Sequence, residues 1–600
     1  MARVAHWFRT DLRLHDNIAL KAALAVKNIE AFYPIWCWDP QYVYATRVGP
    51  NRWRFLLESM QDVSSSITKL QPESQLYVIR GSPLEILPMF FKACKITHLA
   101  YEKDDDEYTI ARDDAVNKLA EAAGVEVIAM HGHTLWEGGK VIKLNKGKVP
   151  TTYAQYQKLV AQMNLPARPL PAPDYLPPPG ELDFTKALSK RPDVDAFRER
   201  DVNEEHREGD KEDVAYESIA GPDSAFAVPT MEELAMQPAT SWIHGGETPA
   251  LERLEMWFTE KKAEAADFEK PKTSPASFDP IETTVLSPYL KFGCLSIRTF
   301  YWRIMDLYAE LKGKHSKPPV SLEGQIMFRD FFHCAQTGTP NFQRIRGNPI
   351  CKFLDWDLIN QYDEKGVQLL DLKITEENEE AWERFLAWKE GRTGYPWIDA
   401  QMRRLRLEGW MHHLGRHSVA CFLTRQMYIS WERGAEVFDS YLVDWDPASN
   451  SANWMWLSSS AFFTQYHRMY SPIAFGQKWD KQGDFIRRYV PELKDMPAKY
   501  IYSPWQAPAE VQKKAKCIIG KDYPKPIVDD HESKANGLAR VKRAYDAHIY
   551  GDDDRVLDGT AVDYVRSFGE LDTDRMGGKR KTKEELSDER KGVKQTKLTF

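Results

Sequence analysis

Residues 409–434 read GWMHHLGRHSVACFLTRQMYISWERG, and residues 444–463 read DWDPASNSANWMWLSSSAFF. Val419, Phe422 and Leu423 recur at helical spacing, and Gly409 and Gly434 bracket the first segment. Histidine, arginine, aspartate and asparagine side chains are costly to bury unless they find partners. Here they share core-facing helices with several tryptophans. That combination calls for a polar, planar ligand with a large π-system held inside a helical domain. A flavin has those properties.

Helical patterns extend over residues 241–510. Ten of the nineteen tryptophans fall between 382 and 505, so most of these indoles are expected to be plain core. Upstream, residues 1–135 alternate β-branched or aromatic runs (4–8, 30–36, 75–79, 98–102, 125–130) with amphipathic stretches (17–26, 52–70, 83–95, 109–123). This βαβα rhythm predicts an α/β domain with a doubly wound parallel sheet, followed by a large all-α domain. No G-x-G-x-x-G follows the first run, so a dinucleotide fingerprint is absent; a small ligand would sit at the carboxyl ends of the strands.

Residues 136–240 read as a connector. Pro166, Pro169, Pro171 and Pro173 break regular structure, and residues 193–213 carry ten acids against four bases, an excess that favours a solvated loop. Residues 511–600 lose periodicity and are expected to be largely disordered from about residue 570. They include the basic cluster Lys579-Arg580-Lys581-Thr582-Lys583.

Six hundred residues exceed one ordinary core. The net charge of −7 argues against a broadly basic surface but leaves room for local patches that bind nucleic acid. Seven cysteines contain no C-x-x-C pair, which fits a reducing compartment and gives no zinc signature. Neither a secretory signal nor a membrane-spanning run is read. A soluble intracellular monomer is expected.

Thr283-Thr284-Val285-Leu286-Ser287 precedes a helix carrying Pro288, Tyr289 and Lys291. Such hydroxyls form either a phosphate site or a plain helix cap, and taken alone the residues favour the cap. Asp444 and Asp446 flank Trp445, with Asn450 one turn later; alone, they read as a capped loop. His413 and His417 share a helix face. As a metal pair they lack a third ligand at useful spacing, so no metal is expected.

Together these segments resemble the photolyase/cryptochrome family, and within it the branch of (6-4) photolyases and animal-type cryptochromes. The resemblance runs from Val4-Ala5-His6-Trp7-Phe8-Arg9 to Tyr502-Ser503-Pro504-Trp505. It implies FAD, with Thr283, Thr284, Leu286 and Ser287 holding the diphosphate and Arg329 a downstream contact. Asp444 and Asp446 match the ribityl–adenine side and Asn450 the N5 edge. Arg416 would bring a positive charge and pair with Asp446 or Asp444. An antenna chromophore, a deazaflavin or a folate, would belong to the first domain.

His413 and His417 match the paired histidines that supply a proton in (6-4) repair, a task suited to imidazolium near neutral pH. Animal-type cryptochromes keep the same pair. Lys291, Gln325 and Tyr470 match polar residues around a flipped lesion, and Arg468 a DNA-phosphate contact. Phe328 stands where the family usually has Trp. Trp454, Trp431 and Trp356, with Trp382 as the alternative distal member, match a chain of indoles that refills a photoexcited flavin. Tyr428 replaces a fourth Trp and is expected to end that chain. The resemblance implies light-driven repair of (6-4) photoproducts in damaged DNA, or alternatively a signalling cryptochrome with a protein partner. The basic cluster predicts the nucleus, with the cytoplasm as alternative.

Overall fold

The computed structural model describes residues 1–182, 204–209, 214–222, 224–363, 368–369, 372–463 and 465–568. Strands β1 (Ala2–Trp7), β2 (Ile29–Trp38), β3 (Tyr77–Arg80), β4 (His98–Glu102) and β5 (Glu126–Met130) pair in parallel in the order β3-β2-β1-β4-β5. The order reverses direction at β1, so right-handed crossovers put helices on both faces. Alternation along the strands feeds two cores. Val4, Phe32 and Val78 join one; Ala5, Trp7, Ala31, Tyr33 and Ile79 join the other. The doubly wound sheet is therefore as the alternating runs predict.

The crossover helices begin where capping side chains sit. Asn17 Oδ1 accepts from the Leu20 N–H at 2.8 Å, and Asp106 Oδ1 from the Thr109 N–H at 3.0 Å. The connector protects the β3 edge: the Val78 N–H donates to Phe226 O and the Arg80 N–H to Ile219 O, at 2.8 and 3.0 Å. It also carries two short helices, Gly138–Leu144 and Tyr153–Val160. Its acidic stretch lies largely outside the described residues, as do the basic cluster and everything else beyond residue 568.

The second domain is helical. Its joint with the sheet needs Gly293, whose φ is +66° and where a Cβ would come within 1.9 Å of Thr10 O. Asp16 reaches across to Arg298 Nε at 3.1 Å. Among the described residues no helix is long and apolar enough to cross a membrane.

Residues 511–568 form helices, the longest being Asp530–Ala547. That helix buries Gly537, Val541, Ala544 and Ala547. A Cβ on Gly537 would stand 1.8 Å from Arg425 O, so the helix lies directly on the flavin-domain backbone. A buried face made of small residues gives almost no hydrophobic periodicity, which is why the sequence pattern hides it.

Candidate functional site

A cavity of about 430 Å³ opens inside the helical domain. Its wall brings together Thr283, Thr284, Leu286, Ser287, Gln325, Arg329, His413, Arg416, His417, Asp444, Asp446, Asn450, Trp454 and Tyr470. The helix His413–Cys421 presents positions 413, 416, 417 and 420 on one face, as 3.6-residue periodicity requires. It runs into a π-helical turn, Phe422–Gln426, where the Met427 N–H donates to Phe422 O at 3.0 Å. Asp446 caps the next helix, Pro447–Leu457, accepting from the Ser449 N–H at 2.7 Å, and Asn450 Nδ2 donates to Ala435 O at 3.2 Å.

At one end Val285 sits at φ +49°, a left-handed conformation that a β-branched residue rarely adopts. Ser287 Oγ donates to Asp444 Oδ2 at 2.7 Å, and Arg416 Nη2 donates to both Asp444 oxygens at 3.0 and 2.8 Å. Arg416 thus pairs with Asp444, and Asp446 takes a different cation. Thr283, His413, Trp445 and Trp454 line this space, and Thr283 Oγ1, His413 Nε2, Trp445 Nε1 and Trp454 Nε1 are buried without a hydrogen-bond partner among the described residues. Buried polar atoms are normally satisfied, so four orphans converging on one cavity fit a polar, planar ligand. The residues fit FAD, with Thr283, Ser287, Arg416 and Asp444 placed to hold it.

Asp446 faces His333 Nε2 at 3.2 Å, while His333 Nδ1 lies 2.9 Å from Asp105 of the sheet domain. Burial opposes a charge on His333, but the two carboxylates outweigh it and raise its pKa to about 10. Asp446 is correspondingly held well below the carboxylate range by His333, against its burial. His133, His333 and Asp446 bring ligand-type atoms within 4.8 Å of one another. Arg329 Nη2 already occupies His133 Nε2 at 2.6 Å, so the cluster is knit by ion pairs across the domain joint. Neither His133 nor His333 stood out in the sequence, where each looks like an isolated core histidine.

The His413 and His417 rings lie 5.9 Å apart, edge to face, and His417 Nδ1 is 3.2 Å from Tyr470 Oη. Burial drives both pKa values down, with Lys270 and Arg416 adding repulsion; His417 falls to about 3 and His413 well below its ordinary range. Lys270, in the same wall, is itself lowered to about 8 by burial and by Arg416. A folded-state pKa below the unfolded value of 6.5 means that the unfolded chain takes up protons first. The stability contributed by the neutral pair is present above about 6.5 and is lost as pH falls toward 3. The thermal midpoint of the ligand-free protein is therefore expected to drop on mild acidification, and His417→Asn to flatten that drop. Identical pH slopes for wild type and variant, read by calorimetry, would refute this origin.

Lys291 ends the five-residue helix Ser287–Lys291, outside the cavity lining, its ammonium 5.6 Å from the Trp445 ring and facing Asp104 and Asp446. Lys270 and Lys478 share the cavity lining with His413 and His417, Lys270 opening the short 3-10 turn Lys270–Lys272. Arg468 is exposed, outside the cavity lining and near Tyr470. Phe328 lines the cavity and stacks on Tyr153 at 3.9 Å, and the Trp456 indole stands 6.1 Å from it, also in the wall.

Trp454, Trp431 and Trp356 are all buried. Trp356 lies 5.0 Å from Tyr428, whose hydroxyl donates to Asp355 Oδ1 at 3.0 Å. Arg540 of the helix Asp530–Ala547 covers the Tyr428 ring at 3.6 Å, and Arg543 Nη2 binds Asp355 Oδ2 at 2.5 Å. Trp382 packs on Phe385 at 5.5 Å.

Residues 4–174 match the family described as DNA photolyase, and residues 321–543 match the FAD binding domain of DNA photolyase. The chain is 42% identical to Cryptochrome-2 of Gallus gallus over 549 residues, 90% of this chain and 83% of that one. It is likewise 42% identical to Cryptochrome-1 of Erithacus rubecula over 545 residues, 90% of this chain and 78% of that one. The Synechocystis sp. PCC6803 cryptochrome superposes with a TM-score of 0.71 at 26% identity, covering 90% of this chain and 99% of that one. A bacterial class III photolyase from Agrobacterium tumefaciens gives 0.66 at 26%, covering 91% and 98%. With a parallel-sheet domain joined to a FAD-binding helical domain, and this identity over nine-tenths of its length, the chain belongs to the photolyase/cryptochrome family.

Proposed function

We propose that the protein repairs (6-4) pyrimidine–pyrimidone photoproducts in DNA under blue light. The observation that carries the reading is the His413–His417 pair, set in one cavity with Tyr470, Gln325 and Lys270. FAD, when bound, supplies the light-driven electron. The chain does the rest. Arg468 and Lys270 attract the phosphate backbone, and the lesion, already poorly stacked, flips into the cavity. Trp456 offers the flat indole surface that Phe328 lacks. With Tyr470 donating to Nδ1, His417 carries its proton on Nε2. Burial holds both imidazoles neutral in the free protein, and a phosphate paired with Lys270 removes that lysine's share of the repulsion. The test is irradiation of the reduced, FAD-loaded protein with an oligonucleotide bearing one (6-4) lesion, followed by chromatography of the product. Unchanged lesion, or repair of cyclobutane dimers alone, would overturn the assignment.

A blue-light receptor role alongside repair draws on a separate observation. The Tyr428–Asp355 hydrogen bond is held by Arg540 and Arg543 of a C-terminal helix, so the end of the aromatic chain touches a surface element. The identity to animal cryptochromes supports the same reading, with a protein as partner. The basic cluster at 579–583 suits nuclear import under either role.

A further inference from the structure

We infer that Trp454 is refilled by two routes, the second running through Trp388 to Trp382; this rests on the flavin photochemistry proposed above. The helix Glu379–Glu390 carries Trp382, Phe385 and Trp388 at successive i, i+3 positions, so the three rings form a stripe. Trp382 lies 5.5 Å from Phe385 at 36°, and Phe385 6.3 Å from Trp388 at 24°. Trp388 meets Trp454 edge to face at 6.2 Å. An unbroken file of rings thus leads from the cavity wall to a half-buried indole.

Trp388 has a property that Trp454 and Trp356 lack. Its Nε1–H donates to Val419 O at 3.0 Å, whereas the other two ring nitrogens are buried without a partner. A positive charge on a buried indole is penalised by desolvation, and a carbonyl dipole aimed at the N–H offsets part of that penalty. Trp388 is therefore the better place for an electron vacancy next to Trp454. The two routes also end differently. Trp356 leads to Tyr428, 2% exposed and roofed by Arg540. Trp382 is open to water. Trp356 and Trp382 are thus members of two branches rather than alternatives for one position.

The electron bookkeeping closes. Trp454 gives one electron to the photoexcited, oxidised flavin; Trp388 refills Trp454; Trp382 refills Trp388 by tunnelling through Phe385, which is not oxidised. Trp382 releases its indole proton to water, and a small thiol in solution returns one hydrogen atom, becoming a thiyl radical.

The experiment is flash excitation of the full-length, FAD-loaded protein, with transient absorption and electron paramagnetic resonance of the aromatic radicals. It compares wild type, Trp431→Phe, Trp431→Phe/Trp388→Phe and Trp431→Phe/Trp382→Phe. Trp431→Phe is expected to keep a tryptophan radical whose decay quickens with added thiol. Adding Trp388→Phe should abolish that radical, while flavin stoichiometry and far-ultraviolet circular dichroism stay unchanged. Trp382, being half-buried, tolerates substitution if Trp388→Phe misfolds, and its variant should lose the thiol sensitivity. No radical in Trp431→Phe, or equal yields in the single and double variants, overturns the branch while leaving the flavin reading intact. Absence of any aromatic radical in wild type overturns both.

Discussion

Replacing His413 by alanine is expected to lower the yield of (6-4) repair about a hundredfold or more, the scale of a lost general acid–base group. His417→Ala should do the same. Neither ring anchors the proposed flavin contacts, which fall to Thr283, Ser287, Arg416 and Asp444, so both variants should retain FAD and its absorption spectrum. His413→Gln nearly preserves the volume and guards against collapse of the cavity. The measurement is product yield per absorbed photon with pre-reduced protein. If both alanine variants keep more than a few per cent of wild-type yield, the proton-transfer role is wrong, and the pair is merely cavity wall.

Trp454→Phe is expected to abolish photoreduction of the oxidised flavin, since both aromatic routes meet at that indole. Repair by protein whose flavin was reduced chemically beforehand should be unchanged, because the lesion draws its electron inside the cavity and not through the chain. The size of the effect separates the trunk from the branches: Trp431→Phe or Trp388→Phe alone should each leave a remainder. Photoreduction of Trp454→Phe at the wild-type rate would dispose of the whole aromatic assignment.

Legibility followed the physics of each element. β1 to β4 were visible because strands largely buried on both faces read as short apolar runs between helical patterns. The His413, Arg416 and His417 face was visible because one helix carries it at regular spacing. The Arg416–Asp444 bond was half visible: two aspartates flank Trp445, and only the turn into the helix Pro447–Leu457 decides that Asp446 becomes its cap. Lys270 opens a three-residue 3-10 turn and was invisible, since so short an element carries no period from which burial can be inferred. Trp382 was a competitor for Trp356 only because spacing along the chain cannot distinguish a branch from a substitute.

The contact of Gly537 with the Arg425 carbonyl has a practical corollary for where this protein can be cut. The last motif of the resemblance is Tyr502-Ser503-Pro504-Trp505, which invites a boundary soon after it. Such a cut would strip Val541, Ala544 and Ile549 from the core and leave Asp355, 0% exposed, without Arg540 and Arg543. An unpaired buried carboxylate typically costs about 3–5 kcal/mol, enough to unfold a marginally stable body. The smallest autonomous folding unit therefore extends to about Phe568. Any shortening meant to question the basic tail belongs after that residue.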